Sequence, residues 1–269
     1  MILYDRFEGG KLFAVTFSYD DGCPQDKRLA QLFDKYGAKC TFNLFSGSLE
    51  KNEDGGAWVN DYFKNHEIAI HAYHHPHLEM MSVGAQYEEL ISDRRYIEKL
   101  TGRIVRGMAF PFGTWNDTTL LAMKTAGVEY SRTTVATGNL TLPNGFPTWH
   151  PTCHHSECER YVKQFIYNIE KARWRSGELL YIWGHAYEFD HENVRVDWDK
   201  MEQIVSELSE HKDDIWFATN IEILDYVNAK NSLIHSADGH KIYNPSRIDV
   251  WVSKDGEPFC IKAGDTVEI

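Results

Sequence analysis

Short hydrophobic runs alternate seven times with longer stretches in which apolar residues recur every three or four positions. Runs of the first kind are typical of buried strands, and stretches of the second kind are typical of amphipathic helices. This alternation predicts a parallel α/β fold. The predicted strands are Leu12 to Phe17, Lys39 to Phe45, Glu67 to Ile70, Ile104 to Phe110, Val128 to Arg132, Glu178 to Trp183 and Ile215 to Ala218.

Two of the intervening stretches show clear helix signals. The first ends at Gly37, where a left-handed residue commonly terminates a helix. The second is predicted to begin at Ser156 with a capping box completed by Glu159. The apolar face of the first helix is formed by Leu29, Leu32, Phe33 and Tyr36.

The last part of the chain has a different pattern. Beyond about residue 228 the helical period stops, turn signals such as Asp238-Gly239 and Asp255-Gly256 appear, and residues 248–252 alternate in polarity. We therefore predict a main domain over residues 1–230 and a small β-rich extension over residues 231–269. The expected role of the extension is to cover one end of the main domain, with independent ligand binding as the alternative.

Charge, hydropathy and cysteine content limit the classes of partner, the location and the redox state to be expected. The 269 residues include 28 Lys and Arg and 40 Asp and Glu, a net charge of −12 that disfavours nucleic acid as a partner. The sequence contains no apolar stretch long enough to span a membrane. The polar, acidic start of the chain does not resemble a secretory signal, so a cytoplasmic location is expected. The five scattered cysteines are expected to be reduced.

Acidic and imidazole residues concentrate where predicted strands end. The clusters are Asp20-Asp21-Gly22 after the first strand, His71, His74, His75 and His77 after the third, Pro111-Phe112-Gly113 after the fourth, and His185 after the sixth. The carboxyl ends of parallel strands open onto one face of a sheet or barrel. The four clusters are therefore expected to converge in space.

One carboxylate and two imidazoles form the ligand set of a catalytic divalent metal, such as zinc. His71 and His75 are four residues apart, which places both on one side of a helical turn. A polar histidine-rich loop is the alternative interpretation of this segment. The adjacent Asp20 and Asp21 favour the metal site, because one carboxylate can bind the ion while the other accepts a proton.

These motifs resemble the polysaccharide deacetylase, or NodB-homology, family. That family carries Thr-Phe-Asp-Asp-Gly after its first strand, and this chain has Thr16-Phe17-Ser18-Tyr19-Asp20-Asp21-Gly22. The histidine motif is flanked by His66-Glu67-Ile68-Ala69 and Pro76-His77-Leu78, similar to the family pattern. Ala109-Phe110-Pro111-Phe112-Gly113 and Trp183-Gly184-His185 resemble its later motifs.

The resemblance implies a distorted (β/α) barrel of seven or eight units and metal-dependent removal of an acyl group, usually acetyl, from a carbohydrate. It implies that Asp20 is the general base, that His185 is the general acid, and that the backbone N–H of Phe112 contributes to the oxyanion site. The implied ion is zinc, with cobalt, nickel or manganese as alternatives. The implied metal ligands are Asp21, His71 and His75.

The chain also departs from the family pattern. The arginine that orients the base is replaced by Ala109, and the Asp-x-x-Asp-Trp element that tunes the acid histidine has no clear match. Glu188 or Asp190 is predicted to hold the His185 imidazole instead. Pro111 and Trp149 are predicted to contact substrate, with packing in the core as the alternative for Trp149.

The segment Cys153-His154-His155-Ser156-Glu157-Cys158 contains zinc-type ligands, but a capped helix start leaves little freedom for a closed four-ligand site. We therefore expect no second metal site there, with His154 or His155 facing the functional site instead.

Three functions remain open at this point. The first is a deacetylase acting on an N- or O-acetylated carbohydrate. The second is an amidohydrolase acting on a C–N bond outside sugars, and the third is a carbohydrate-binding barrel that has lost catalysis. The oligomeric state is not predicted.

Overall fold

The computed structural model describes residues 1–171 and 176–269. The first predicted helix is confirmed, because its apolar face is buried and Gly37 ends it with a φ of 70°. None of the helices in these two ranges has the length and apolar character needed to cross a membrane. The helices are α1 (Asp26–Tyr36), α2 (Ser46–Leu49), α3 (Val59–Tyr62), α4 (Val83–Thr101), α5 (Asp117–Thr125), α6 (Cys158–Lys171), α7 (Trp198–Ser209) and α8 (Asn220–Asn231).

Eight parallel strands form the central sheet, and all seven predicted strands belong to it. Their order is β6-β5-β4-β3-β2-β8-β7, and β9 pairs with the beginning of β2. The strands are β2 (Phe13–Asp20), β3 (Cys40–Leu44), β4 (Glu67–Ile70), β5 (Gly107–Ala109), β6 (Tyr130–Arg132), β7 (Cys153–His154), β8 (Glu178–Gly184) and β9 (Ile215–Phe217). The predicted distorted (β/α) barrel is therefore confirmed.

The segment before α6 differs from the prediction. The chain there first forms the short strand β7, which pairs with β8, and then a 3₁₀ turn over His155–Glu157. The predicted capping box is wrong, because the Ser156 hydroxyl contacts His154 and the Glu159 carboxylate pairs with Lys163. α6 consequently begins at Cys158 rather than at Ser156.

The C-terminal region is β-rich, as predicted. Its strands form two small antiparallel sheets, and the first strand of the chain, β1, joins one of them by pairing with β12. The five strands of the region are β10 (Ile234–His235), β11 (Lys241–Tyr243), β12 (Val250–Lys254), β13 (Glu257–Ile261) and β14 (Thr266–Glu268), and β1 is Ile2–Leu3.

This region packs against the edge of the central sheet where the strands begin. Trp251 donates its backbone N–H to the hydroxyl of Tyr226 on α8, 3.0 Å away. Gly10, which precedes β2, lies so close to Trp251 and Pro258 that a Cβ on it would be 2.9 Å from each. These contacts leave the opposite edge, where the strands end, free for the predicted site.

Candidate functional site

The two aspartates lie at the carboxyl end of β2. Asp20 is the last residue of the strand and is 2% exposed, whereas Asp21 follows it in a left-handed conformation with a φ of 82°. The backbone N–H of Asp21 donates to the carbonyl of Asn43 on the neighbouring strand, 3.0 Å away. This turn leaves the Asp20 carboxylate buried and the Asp21 carboxylate partly exposed.

Arg132 is the orienting arginine that the sequence analysis did not identify. It ends β6, is fully buried, and donates a hydrogen bond from its guanidinium to Oδ2 of Asp20. Asn43 donates to the other oxygen at 2.8 Å. Burial raises the pKa of Asp20, but Arg132 and the nearby histidines lower it by a larger amount. The pKa of Asp20 is therefore below its usual value.

Arg132 on β6 makes with Asp20 the contact that the resemblance leads one to expect from an arginine at the position of Ala109 on β5. The nearest guanidinium in sequence, Arg106, instead pairs with Glu129 and Asp225 near the beginning of the strands. The available signal was the position of Arg132 as the last residue of a predicted strand. Matching short motifs does not reveal this contact, because Arg132 and Asp20 are 112 positions apart in the sequence.

The loop after β4 brings the two predicted metal-binding histidines together. Nε2 of His71 lies 3.1 Å from Nε2 of His75, and Oδ1 of Asp21 lies 3.7 Å from the first of these atoms and 3.9 Å from the second. The loop reaches this shape through left-handed residues, with φ values of 61° at Ala72 and 55° at His75. The three predicted ligands therefore form one compact cluster.

The hydrogen bond on the far side of His71 determines which ring nitrogen is free. Nδ1 lies 2.8 Å from the carbonyl oxygen of Ala109, which can only accept, so this nitrogen carries the proton. The lone pair of Nε2 is then directed toward His75 and Asp21. A carbonyl behind a ligating imidazole is the usual arrangement in metal sites, and the donor set fits a divalent cation such as zinc.

His185 lies across the carboxylates from the histidine pair. Its Nε2 is 4.0 Å from Oδ2 of Asp20 and from Oδ2 of Asp21, and its Nδ1 is 2.9 Å from Oε1 of Glu188. Burial lowers the pKa of His185, but Glu188 and the two aspartates raise it more, so the net pKa is above its usual value. Of the two predicted partners, Glu188 is the one in contact, while Asp190 binds the indole N–H of Trp198.

Glu188 also accepts contacts from two further histidines. Its Oε2 lies 3.1 Å from Nε2 of His154 and 2.9 Å from Nε2 of His155. These three residues are close enough together to hold an ion. However, the backbone N–H of Ser156 donates to Nδ1 of His154, which places the proton on Nε2 and directs an N–H at the carboxylate. This pattern favours a hydrogen-bonded carboxylate over a second metal site.

The ring of Phe112 lies beside the histidine pair and is exposed to solvent. This residue has a φ of 58°, is 51% exposed, and stacks on His77 with ring centroids 3.9 Å apart. Its ring also packs edge-on against His75 at 4.6 Å. Pro111 was predicted to contact substrate but is buried, so the accessible surface of this segment belongs to Phe112.

The prediction that Trp149 lines the substrate site is wrong. This side chain is 1% exposed and packs in a hydrophobic cluster against the rings of Tyr130, Phe146 and Tyr181. The backbone N–H of Trp149 donates to the carbonyl of Ser131 at 2.7 Å, so this part of the chain runs beside β6. The indole therefore fills the core and is not available to a ligand.

A cavity of about 430 Å³ opens beside Asp21. Its wall is formed by two segments, residues 21–27 and residues 45–58. The wall includes apolar rings from Phe45 and Trp58 and polar groups from Ser48, Asn52 and Asp54. Mixed walls of this kind can bind a polar ligand that also carries apolar surface.

The sequence comparison supports the motif assignment. The polysaccharide deacetylase family model matches residues 9–131, a segment that contains Asp20, Asp21, His71 and His75. No curated protein matches the sequence. The family predicted from the motifs is therefore confirmed for this segment.

Solved structures share the fold at low sequence identity. A candidate polysaccharide deacetylase from Mycobacterium smegmatis aligns over 84% of this chain and 93% of its own, with 16% identity and a TM-score of 0.60. A family 4 carbohydrate esterase from Streptomyces lividans aligns over 76% and 91%, with 14% identity and a TM-score of 0.51. A family 4 pseudoenzyme from Bacillus anthracis aligns over 78% and 65%, with 16% identity and a TM-score of 0.52. The chain thus spans just under two thirds of the last protein.

Proposed function

We propose that this chain, which resembles polysaccharide deacetylases, is a metal-dependent hydrolase that removes an acetyl group from an N- or O-acetylated carbohydrate. The observation that carries the proposal is the convergence of a three-ligand cluster, a buried ionised carboxylate and a carboxylate-bound imidazole within about 4 Å of one another. The ligands would be Asp21, His71 and His75. A divalent ion held there supplies a Lewis acid that polarises the acyl carbonyl and makes water more acidic.

The protein groups then perform the proton transfers. Asp20, kept ionised by Arg132, accepts the proton of the water that attacks the acyl carbon. The backbone N–H of Phe112 stabilises the negative charge that develops on the carbonyl oxygen. His185 donates a proton from Nε2 to the departing nitrogen or oxygen, and its raised pKa favours the protonated form that this step requires. Glu188 holds the ring through Nδ1.

The test is acetate release from a panel of acetylated sugars by zinc- or cobalt-loaded protein, compared with Asp20→Asn and His75→Ala. Asp20→Asn should retain metal but lose about 10²–10⁴-fold in turnover, because the amide cannot accept the proton. His75→Ala should lose most of its metal and keep its fold, since His75 is partly exposed and outside the core.

Turnover by Asp20→Asn equal to that of the unaltered protein would contradict the role of Asp20. Release from small amides alone would favour an amidohydrolase. Retained metal and glycan binding without turnover would favour a binding protein, a possibility that the fold shared with a pseudoenzyme makes worth measuring.

A further inference from the structure

Helix α4 carries two carboxylates that contact the backbone of the loop after β4, residues 71–77, which we call the histidine loop. They belong to Glu89 and Asp93, which are four residues apart and therefore lie on one face of the helix. Oδ2 of Asp93 accepts the backbone N–H of His71 at 3.0 Å, and Oε2 of Glu89 accepts that of His74 at 2.8 Å. One helix thus holds the loop at two points, the backbone N–H groups of His71 and His74.

Asp93 also joins this loop to the loop after β3. Its Oδ1 accepts the backbone N–H of Ser46 at 2.7 Å and the hydroxyl of Ser46 at 2.6 Å. The next residue, Gly47, donates its N–H to the carbonyl of Tyr73 at 2.9 Å. A Cβ on Gly47 would lie 2.3 Å from that oxygen, so the two backbones pack too closely for any other residue.

The histidine loop needs such support because its shape is intrinsically unfavourable. Ala72 and His75 are left-handed residues other than glycine, a conformation that persists only where surrounding contacts impose it. Asp93 is fully buried and satisfies three donors from two loops, so its removal leaves N–H groups unpaired inside the protein.

We propose that Asp93 and Glu89 are positioning residues that preform the metal site by holding the histidine loop in its ligating shape. The inference rests on the proposed function only in taking His71 and His75 as ligands. Asp93 has the larger role, because it is buried and holds the ligand His71 itself. Glu89 has the smaller role, because it holds His74, whose side chain is 66% exposed.

The test measures zinc affinity of the full-length protein by competition with a chelator. Asp93→Asn should bind zinc about 10–100-fold more weakly, because an amide has one acceptor oxygen and its NH₂ must face a backbone N–H. Glu89→Gln should lose less than about tenfold. The control is Glu67→Gln, which alters another carboxylate with three donors at the opposite edge of the sheet and should leave zinc affinity unchanged.

Urea unfolding of the metal-free proteins separates stability from affinity. Glu67→Gln should keep its zinc affinity whatever the change in its stability, whereas Asp93→Asn should lose zinc affinity. Unchanged affinity in Asp93→Asn, or an equal loss in Glu67→Gln, overturns the proposal. If Asp93→Asn does not fold, unchanged affinity in Glu89→Gln overturns it. Failure of the unaltered protein to bind zinc refutes the metal site as well, and is therefore distinguishable from failure of the positioning role alone.

Discussion

The two edges of the central sheet differ in whether their polar side chains are fully paired. Where the strands begin, Arg106 pairs with two carboxylates, and Glu67 accepts hydrogen bonds from Thr41, Tyr130 and the backbone of Ile221. A cavity of about 440 Å³ lies there, lined by such paired groups. Where the strands end, the free nitrogen of His71 faces another imidazole and a carboxylate. A cavity of nearly equal size beside this second edge therefore adjoins the proposed metal site.

Backbone strain follows the same division. Among the described residues, six residues other than glycine are left-handed, and five of them lie in loops that follow the carboxyl ends of central strands, namely Asp21, Ala72, His75, Phe112 and Asn193. The sixth, Asp255, lies in the turn between β12 and β13. Each such conformation costs about 1–3 kcal/mol and persists where other contacts impose it. Within the central sheet, backbone strain and incompletely paired polar groups therefore occur together where the strands end, and cavity volume alone does not separate the two edges.

The largest expected difference between the edges concerns their arginines. Arg132→Met should destabilise the protein by about 3–5 kcal/mol, because it leaves the Asp20 carboxylate buried without a cation. Arg106→Met should cost about 1 kcal/mol, because this side chain is 31% exposed and its partners remain hydrated. Urea unfolding measures both. Similar losses in the two variants would remove the distinction between the edges.

A smaller effect should appear in the pH dependence of stability. Burial raises the pKa of Glu67 from 4.5 to about 7. The folded protein therefore holds a proton that the unfolded chain releases between these values, so this group reduces stability as pH rises, by up to about 3 kcal/mol above pH 7.

Glu67→Gln should flatten the pH dependence of the unfolding free energy between pH 4.5 and 7 without changing turnover. Burial also raises the pKa of Asp93 to about 7, and that contribution remains in both proteins. An unaltered pH profile in Glu67→Gln would show that the carboxylate at the opposite edge is hydrated.

The smallest effect tests how tightly His155 packs beneath the site. A Cβ on Gly184 would lie 2.1 Å from Nδ1 of His155, so Gly184→Ala should cost about 1–3 kcal/mol. Gly84 on α4 has open space around it, and Gly84→Ala should be neutral or slightly stabilising. Thermal unfolding compares the two, and a neutral Gly184→Ala would mean that the ring of His155 can move away.

Local pattern predicted seven strands of the central sheet and the candidate metal ligands. Hydrophobic runs flanked by helical periods predict the seven strands, because burial of both sheet faces requires continuous apolar segments. Asp21, His71 and His75 could be proposed as ligands because they belong to short motifs, and Glu188 was one of two predicted partners of His185 because it lies three residues after it. The division into domains at residue 230 stays a prediction.

Tertiary structure alone decided which residues support that set. Arg132 reaches Asp20 across 112 positions, and Asp93 reaches Ser46 across 47. Trp149 was predicted to contact substrate, yet its side chain is buried against the rings of Tyr130, Phe146 and Tyr181. A motif contains only residues that are close in the sequence. The orientation of a buried charge and the filling of the core depend on contacts between distant segments, and the packing of the folded chain determines those contacts.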